Sequence, residues 1–184
     1  MNRPRSNRSA GGPAITIRPE THYDRAAIHA VTEMAFGRAE EADLIDCLRS
    51  SDVWIPDLSL VAEGQDGRVI GSVVLSYVTL ATVDGLQRIL SLAPIAVEPS
   101  HQRQGVGSAL IRAAIDAAEA REEPLVVVLG HPWYYPRFGF EPAIRSGIEA
   151  PRPVPDHVFM LRRLARWTPA LRGRIDYPDC FDGL

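Results

Sequence analysis

A chain of 184 residues suits a single domain, because that length can bury most of its apolar surface around one core. The hydrophobic share of 46% and the charged share of 23% are ordinary globular values, which exclude a disordered or fibrous protein. The formal net charge of -3 excludes a general electrostatic attraction to nucleic acid or to an anionic membrane.

The two cysteines and the first residues of the chain indicate the cellular compartment in which the protein folds. Cys47 and Cys180 have neither CxxC spacing nor enough further cysteines for a disulfide framework or a zinc site, so we interpret both as free thiols. No apolar run of about 18 residues is present, and the N-terminus lacks the apolar run of a secretory signal. We therefore expect a cytoplasmic protein that does not insert into membranes.

Residues 1–13 place several arginines among Ser, Asn, Gly and Pro. The segment is too poor in apolar residues to pack, which favours a flexible tail. A short targeting arm or a nucleic-acid hook is the alternative interpretation.

Hydrophobic spacing predicts the elements of the first half of the chain. They are a strand at 14–18, helices at 24–36 and 39–49, and strands at 58–63, 68–80 and 88–97. Residues 64–67 are typical of a hairpin loop, and Asp84 and Gly85 of a tight turn, so the last three strands form an antiparallel meander.

The second half switches to a strand, helix, strand pattern. Apolar residues recur at helical spacing over 109–117, and the apolar run 125–129 follows Pro124, which predicts a parallel crossover. A short helix at 133–137 and a strand at 158–161 come next. The fold class is thus α/β with a mixed sheet. Residues 14–164 form the domain, and residues 165–184 an irregular extension that docks on it.

A phosphate site is predicted where the strand ending at Val97 leads through a glycine-containing turn into a helix. A helix N-terminus presents unpaired N–H groups and the positive end of its dipole. Gly105 and Gly107 let the backbone approach an anion, and Arg103 adds a cation. The segment lacks the third glycine of a dinucleotide fingerprint and the GK[ST] of a P-loop. A helix start without a ligand is the alternative.

Pro94 lies inside residues 90–97, which otherwise have the pattern of a buried central strand. Proline cannot donate to a strand ladder, so it indicates a sheet edge or a bulge. A bulge here would splay the strand and free backbone groups for a ligand.

These residues resemble two motifs of the GNAT superfamily of N-acetyltransferases. Residues 95–110 resemble its acetyl-CoA motif, whose core Gln/Arg-x-x-Gly-x-Gly/Ala is complete from Gln102 to Gly107. Tyr135, four residues before the pair Gly139 and Phe140, resembles the later motif, and residues 129–140 are similar to a bacterial subgroup of predicted acetyltransferases. The resemblance covers residues 15–164.

The resemblance implies a sheet splayed around acyl-CoA and acetyl transfer from acetyl-CoA to an amine by direct attack. Pantetheine would bond the backbone of the strand, and the pyrophosphate the amides that follow it. The implied cofactor-binding residues are Ile95, Ala96, Val97, Gln102, Arg103, Gln104, Gly105, Val106, Gly107, Ser108, Tyr135 and Phe138.

The resemblance also implies that Tyr135 is the general acid that protonates the leaving thiolate; packing against Phe138 and Phe140 is its alternative role. We name Glu33 as the general base, while Glu40, Glu41, His131 and a water chain stay open. The alternative for each glutamate is a solvated helix face, and for His131 a structural hydrogen bond. The histidines have no metal-ligand spacing, so we expect no metal.

Two other functions stay open: an acyl-CoA-binding sensor without turnover, and a nucleotide-binding regulatory domain. The acceptor, a small-molecule or peptide amine, is not specified by the sequence. Homodimers are common in this superfamily, but the sequence locates no interface.

Overall fold

The computed structural model describes residues 15–182; the predicted tail at 1–13 lies outside them. The helices are α1 (Arg25–Phe36), α2 (Glu40–Arg49) and α3 (Val106–Ala120). The strands are β1 (Thr16–Pro19), β2 (Ser59–Glu63), β3 (Val69–Thr82), β4 (Gly85–Val97), β5 (Leu125–Leu129), β6 (Glu141–Pro142), β7 (Ile148–Glu149), β8 (Phe159–Arg163) and β9 (Gly173–Asp176).

The sheet is mixed, as predicted. Strands β1 to β4 lie side by side in chain order, and each is antiparallel to the next. Helix α3 then forms the crossover connection that places β5 parallel to β4. Strand β8 adds to the far side of β5, and β9 adds to β3 at residues that β2 does not reach. The predicted meander and crossover are both present.

Helix α3 covers one face of the sheet because its apolar residues recur every three or four positions. Its buried residues are Val106, Leu110, Ile111, Ala114, Ile115 and Ala118. They form the largest core cluster together with side chains of β2 to β5. Helices α1 and α2 cover the other face, where Ile28, Ile45 and Leu48 pack against Val61 and Val74.

The predicted bulge lies at Ala93 and Pro94. Leu75 of β3 pairs with Leu92, but Val73 pairs with Ile95, so β4 carries an extra residue at this point. The extra residue changes which side chains face α3: Leu90 and Leu92 before the bulge, and Ile95 after it, all contact the α3 core.

Strands β4 and β5 separate beyond the bulge. Their pairing is limited to Leu90 with Val126 and Ser91 with Val127. Among residues 15–182, no strand pairs with the edge of β4 that faces β5 beyond Ser91. The sheet therefore opens into a V-shaped gap at the carboxyl ends of these two strands.

The interpretation of both cysteines as free thiols is wrong. Cys47 on α2 and Cys180 near the C-terminus form a disulfide across a sequence separation of 133 residues. Their Cα atoms lie 5.7 Å apart, a normal spacing for such a bond. The sequence argument failed because it relied on local spacing, whereas the fold brings the two residues together.

The C-terminal extension is more regular than predicted. Residues Gly173–Asp176 form β9, and Ile175 is buried against β3. The Tyr177 hydroxyl lies 3.2 Å from Ser91 Oγ.

Candidate active site

A cavity of about 760 Å³ occupies the gap between β4 and β5. The end of α1, strand β4, the start of α3 and the segment after β5 all contribute to its wall. The lining residues are Ala35, Phe36, Ile95, Val97, Gln102, Arg103, Gly105, Gly107, Ser108, His131, Trp133, Tyr134, Tyr135 and Arg137.

One end of this cavity combines features that suit an anion. Helix α3 begins here, and its first-turn N–H groups have no partner within the helix. Gly105 precedes the helix with a φ of 93°, a left-handed conformation that favours glycine. Arg103 and Arg137 also line the cavity and add positive charge. Sequence reasoning had found Arg103 but missed Arg137.

Two glutamine side chains hold the loop before α3 in place. Gln102 Nε2 donates to the carbonyl of Val97 at 3.1 Å, and Gln104 Nε2 donates to the carbonyl of Ser100 at 2.8 Å. The Gln102 bond ties the loop to the end of β4. The glutamines therefore shape the backbone around the anion-binding end.

Most of the predicted cofactor residues line the cavity, but the side chains of Ala96, Gln104, Val106 and Phe138 do not. Ala96, Val106 and Phe138 are buried in the protein, and Gln104 is exposed. At Ala96 and Val106 only backbone groups can serve a ligand. The whole set stays a prediction.

Tyr135 is the most buried aromatic residue in the cavity wall, with 6% of its surface exposed. Its ring packs edge-on against Tyr134 and Phe140, at centroid distances of 5.3 and 5.6 Å. Within residues 15–182 its hydroxyl makes no hydrogen bond. Burial, with a smaller contribution from Tyr134, raises the pKa of this phenol well above its ordinary value. Tyr135 is thus a protonated donor that faces an open cavity.

Gly130 holds Tyr135 in this position, a role that sequence reasoning missed. A Cβ atom at residue 130 would lie 2.5 Å from Cε2 of the Tyr135 ring. The backbone cannot easily withdraw, because the Gly130 N–H donates to the carbonyl of Val158 at 2.9 Å. Only glycine lets the ring approach the backbone so closely.

We expect Gly130→Ala to lower kcat by about tenfold if Tyr135 is the predicted acid, because a displaced catalytic group costs rate even when it is retained. Overpacking should also lower the free energy of unfolding by about 1–3 kcal/mol. Steady-state kinetics and denaturant unfolding measure the two effects. Gly64→Ala, in the turn between β2 and β3, is the control. Equal kcat values in the two variants would contradict a positioning role for Gly130.

The candidate bases are placed differently from one another. Glu33 and Glu40 are exposed, and neither lines the cavity. Glu41 is buried and paired with Arg38. His131 does line the cavity, and its ring stacks on Trp133 at 5.0 Å. The geometry therefore gives Glu33 no support as the base, and His131 is better placed.

Comparisons with known proteins agree with this geometry. Residues 53–142 match the family model described as an acetyltransferase (GNAT) domain. The uncharacterized N-acetyltransferase YjhQ of Escherichia coli strain K12 is 36% identical over 160 residues, which is 85% of this chain and 88% of that protein.

Solved structures are similar over almost the whole chain. The GNAT family N-acetyltransferase YhbS from Escherichia coli, in complex with CoA, has 30% identity and a TM-score of 0.82 over 96% of both chains. A GNAT family acetyltransferase from Brucella melitensis, in complex with acetyl-CoA, has 29% identity and a TM-score of 0.75, over 92% of this chain and 99% of that one.

The chain therefore belongs to the GNAT family of acetyltransferases. This confirms the predicted family, the mixed α/β fold and the enzyme class, an N-acetyltransferase. The predicted cosubstrate is also supported, because these two similar structures hold CoA and acetyl-CoA.

Two further properties concern residues 15–182. No cluster of His, Cys, Asp or Glu side chains in that range could hold a metal ion. No helix there is long and apolar enough to cross a membrane.

Proposed function

We propose that this protein transfers the acetyl group of acetyl-CoA to an amine by direct attack. The observation that carries the proposal is the cavity in the β4–β5 gap, because it joins an anion-binding helix start to a buried phenol. The comparisons support the family and the cosubstrate. The acceptor and the catalytic steps are our inference.

The cosubstrate would lie along the open edge of β4. The pyrophosphate would meet the first-turn amides of α3, with Arg103 and Arg137 beside it. The amide groups of pantetheine would bond to the edge of β4 beyond Ser91, much as an added strand does. The thioester would then lie near Tyr135.

The reaction forms one bond and breaks one. The neutral amine nitrogen attacks the thioester carbonyl, the new N–C bond forms, and the C–S bond breaks with its electron pair on sulfur. The amine loses one proton and the thiolate gains one, so the products are the acetamide and CoA thiol. An alkylamine with a pKa of about 10.4 is mostly protonated at neutral pH, so a base or water must first accept a proton.

Tyr135 would act on the leaving sulfur. Complete proton transfer from the phenol to a free thiolate is uphill, because a thiol has a pKa of about 8.5 and burial raises the pKa of Tyr135 above its ordinary value of about 10. The phenol therefore donates its hydrogen bond to the charge that develops on sulfur in the transition state. The proton that the attacking amine loses finally protonates the thiolate, so the proton count balances.

We expect acetyl-CoA to raise the free energy of unfolding by about 2.7 kcal/mol at a hundredfold excess over Kd, because the binding site exists only in the folded state. A thermal shift with acetyl-CoA and with CoA measures this. An unchanged melting temperature with both ligands would remove the cosubstrate assignment.

Binding alone does not separate an enzyme from an acyl-CoA sensor. Release of CoA thiol that depends on an added amine does, and mass spectrometry of the amine should show the acetyl adduct. A protein that binds acetyl-CoA but releases no thiol with any amine of a broad panel would be the sensor instead.

The cytoplasmic location and the homodimer stay predictions. The Cys47–Cys180 bond removes one ground for the first, because disulfides are rare in the reducing cytosol.

A further inference from the structure

A second cavity, of about 480 Å³, adjoins the cofactor cavity. Three segments of the chain each contribute one residue to the first cavity and another, two positions away in sequence, to the second. After α1, Phe36 lines the first cavity and Arg38 the second; at the β4 bulge the pair is Ile95 and Ala93; and at the end of β5 it is His131 and Leu129. Both cavities therefore open onto the same gap between β4 and β5.

The outer wall of the second cavity is residues 176–182, which we call the C-terminal wall. Strand β9 anchors its beginning to β3, and the Cys47–Cys180 disulfide anchors its end to α2. Between these anchors the rings of Tyr177 and Phe181 stack at a centroid distance of 4.5 Å. The wall is thus held on both sides of its aromatic pair.

Among residues 15–182, the arginines that line this cavity have partners within the molecule, whereas two of its carboxylates do not. Arg38 is bonded to Glu41, and Arg152 is also engaged within the molecule. The carboxylates of Asp176 and Asp182, both on the C-terminal wall, have no hydrogen bond or ion pair within the part of the chain that the structure describes. The cavity therefore offers negative charge and aromatic faces, which together suit a cation.

The amine nitrogen that attacks the thioester must be neutral. It therefore cannot form an ion pair with these carboxylates during the reaction. They can hold a second ammonium group of the same molecule while the neutral end enters the gap. This arrangement discriminates in favour of an acceptor with two amino groups.

We propose that the second cavity binds the acceptor, that the acceptor is a diamine, and that Asp176 and Asp182 hold its distal ammonium group. The proposal rests on the proposed acetyltransferase function. It makes the two aspartates specificity-determining residues, and it gives the disulfide the task of fixing the wall that carries them.

The test compares α,ω-diamines, from 1,3-diaminopropane to 1,8-diaminooctane, with the n-alkylamines of the same chain lengths. Thiol release from acetyl-CoA is followed at low ionic strength, where charge interactions are least screened, and without a reductant, so that the disulfide stays intact. The variant is Asp176→Asn/Asp182→Asn. The control is Asp84→Asn/Asp116→Asn, which changes net charge equally but alters exposed residues that do not line either cavity.

We expect the wild type to have a lower KM for at least one diamine than for its alkylamine. The wall variant should raise that KM about five- to tenfold, the range for a loss of about 1 kcal/mol or slightly more. Its KM for the alkylamine and its Kd for acetyl-CoA should not change, and the control should behave as the wild type does.

Calorimetric titration of the CoA complex with the same diamine separates the two hypotheses. Diamine binding that is weakened by the wall variant, with no thiol release, would retain the cavity assignment and remove the transferase. Thiol release with equal KM values for diamine and alkylamine, unchanged in the wall variant, would overturn the diamine proposal and leave the transferase intact. Failure of every diamine both to bind and to react would also overturn it.

Discussion

Tyr135→Phe is expected to lower kcat by about 100-fold or more, because it removes the hydroxyl that we propose donates to the leaving sulfur and leaves nearly all of the ring. The affinity for acetyl-CoA should change little, since the ring still fills its place in the cavity wall. Stability should also be retained, because the hydroxyl has no hydrogen bond within residues 15–182 that the change could break. Single-turnover kinetics isolate the chemical step.

The neighbouring Tyr134 provides the matched comparison. It lines the same cavity but is less buried, and its hydroxyl lies toward Gly107 at the start of α3. Tyr134→Phe removes a hydroxyl from the anion-binding end, so it should affect the Kd for CoA more than the chemical step. If the rate of the chemical step falls in Tyr134→Phe and is unchanged in Tyr135→Phe, the hydrogen-bond donor to the leaving sulfur has been assigned to the wrong tyrosine.

Packing and chemistry at Tyr135 are separated by a third variant. Tyr135→Ala deletes a buried ring and should lower the free energy of unfolding by about 3 kcal/mol or more. A residue that only packs would lose stability in Tyr135→Ala and keep its full rate in Tyr135→Phe.

Gly107→Val is expected to weaken CoA binding by about 10- to 100-fold, which corresponds to the loss of one charge-assisted hydrogen bond of about 1.5–3 kcal/mol. A Cβ atom at residue 107 would lie 2.8 Å from the Tyr134 hydroxyl and 3.6 Å from Cγ2 of Val97. The added methyl groups would thus intrude at the start of α3, where we propose that the first-turn amides meet the pyrophosphate. Calorimetric titration with CoA measures the loss.

Steric pressure on Tyr134 must be separated from obstruction of the amides. The double variant Gly107→Val/Tyr134→Phe removes the hydroxyl that a Cβ would meet, so it relieves the first effect only. Relative to Tyr134→Phe alone, we expect the double variant to lose as much affinity for CoA as Gly107→Val loses relative to the wild type. Recovery of affinity in the double variant would show that the amides at Gly107 do not contact the cofactor. Arg103→Ala, which removes one exposed cation, should lower the affinity for CoA less than Gly107→Val or the double variant does.

Local signals predicted the centre of this fold well. Hydrophobic spacing predicted the meander, the crossover helix and β5, and Pro94 alone predicted the bulge from which the sheet opens. Gly105 and Gly107 line the cavity, and the anion site predicted at them stays a prediction. Each of these features depends on residues that are close in sequence, so the pattern contains the information.

Features that depend on distant residues were missed or misjudged. Cys47 and Cys180 were interpreted as free thiols, and Gly130 carried no signal, because its importance is set by the ring of Tyr135. Glu33, named as the base from its place on α1, is exposed and does not line the cavity, so that role stays a prediction without geometric support. A helical pattern specifies which residues share a face, not which cavity that face adjoins.

The sequence by itself determined the family motifs, the mixed sheet and the start of helix α3, because these follow from short-range backbone and side-chain preferences. Only the tertiary structure decided that the gap at β4 and β5 is shared by two cavities and that a disulfide-anchored C-terminal wall lines part of the second. The physical reason is chain separation: Asp176 and Ala93 line one cavity although most of the domain's second half lies between them in sequence. Contacts of that kind are selected by the packing of the whole core, which no local pattern records.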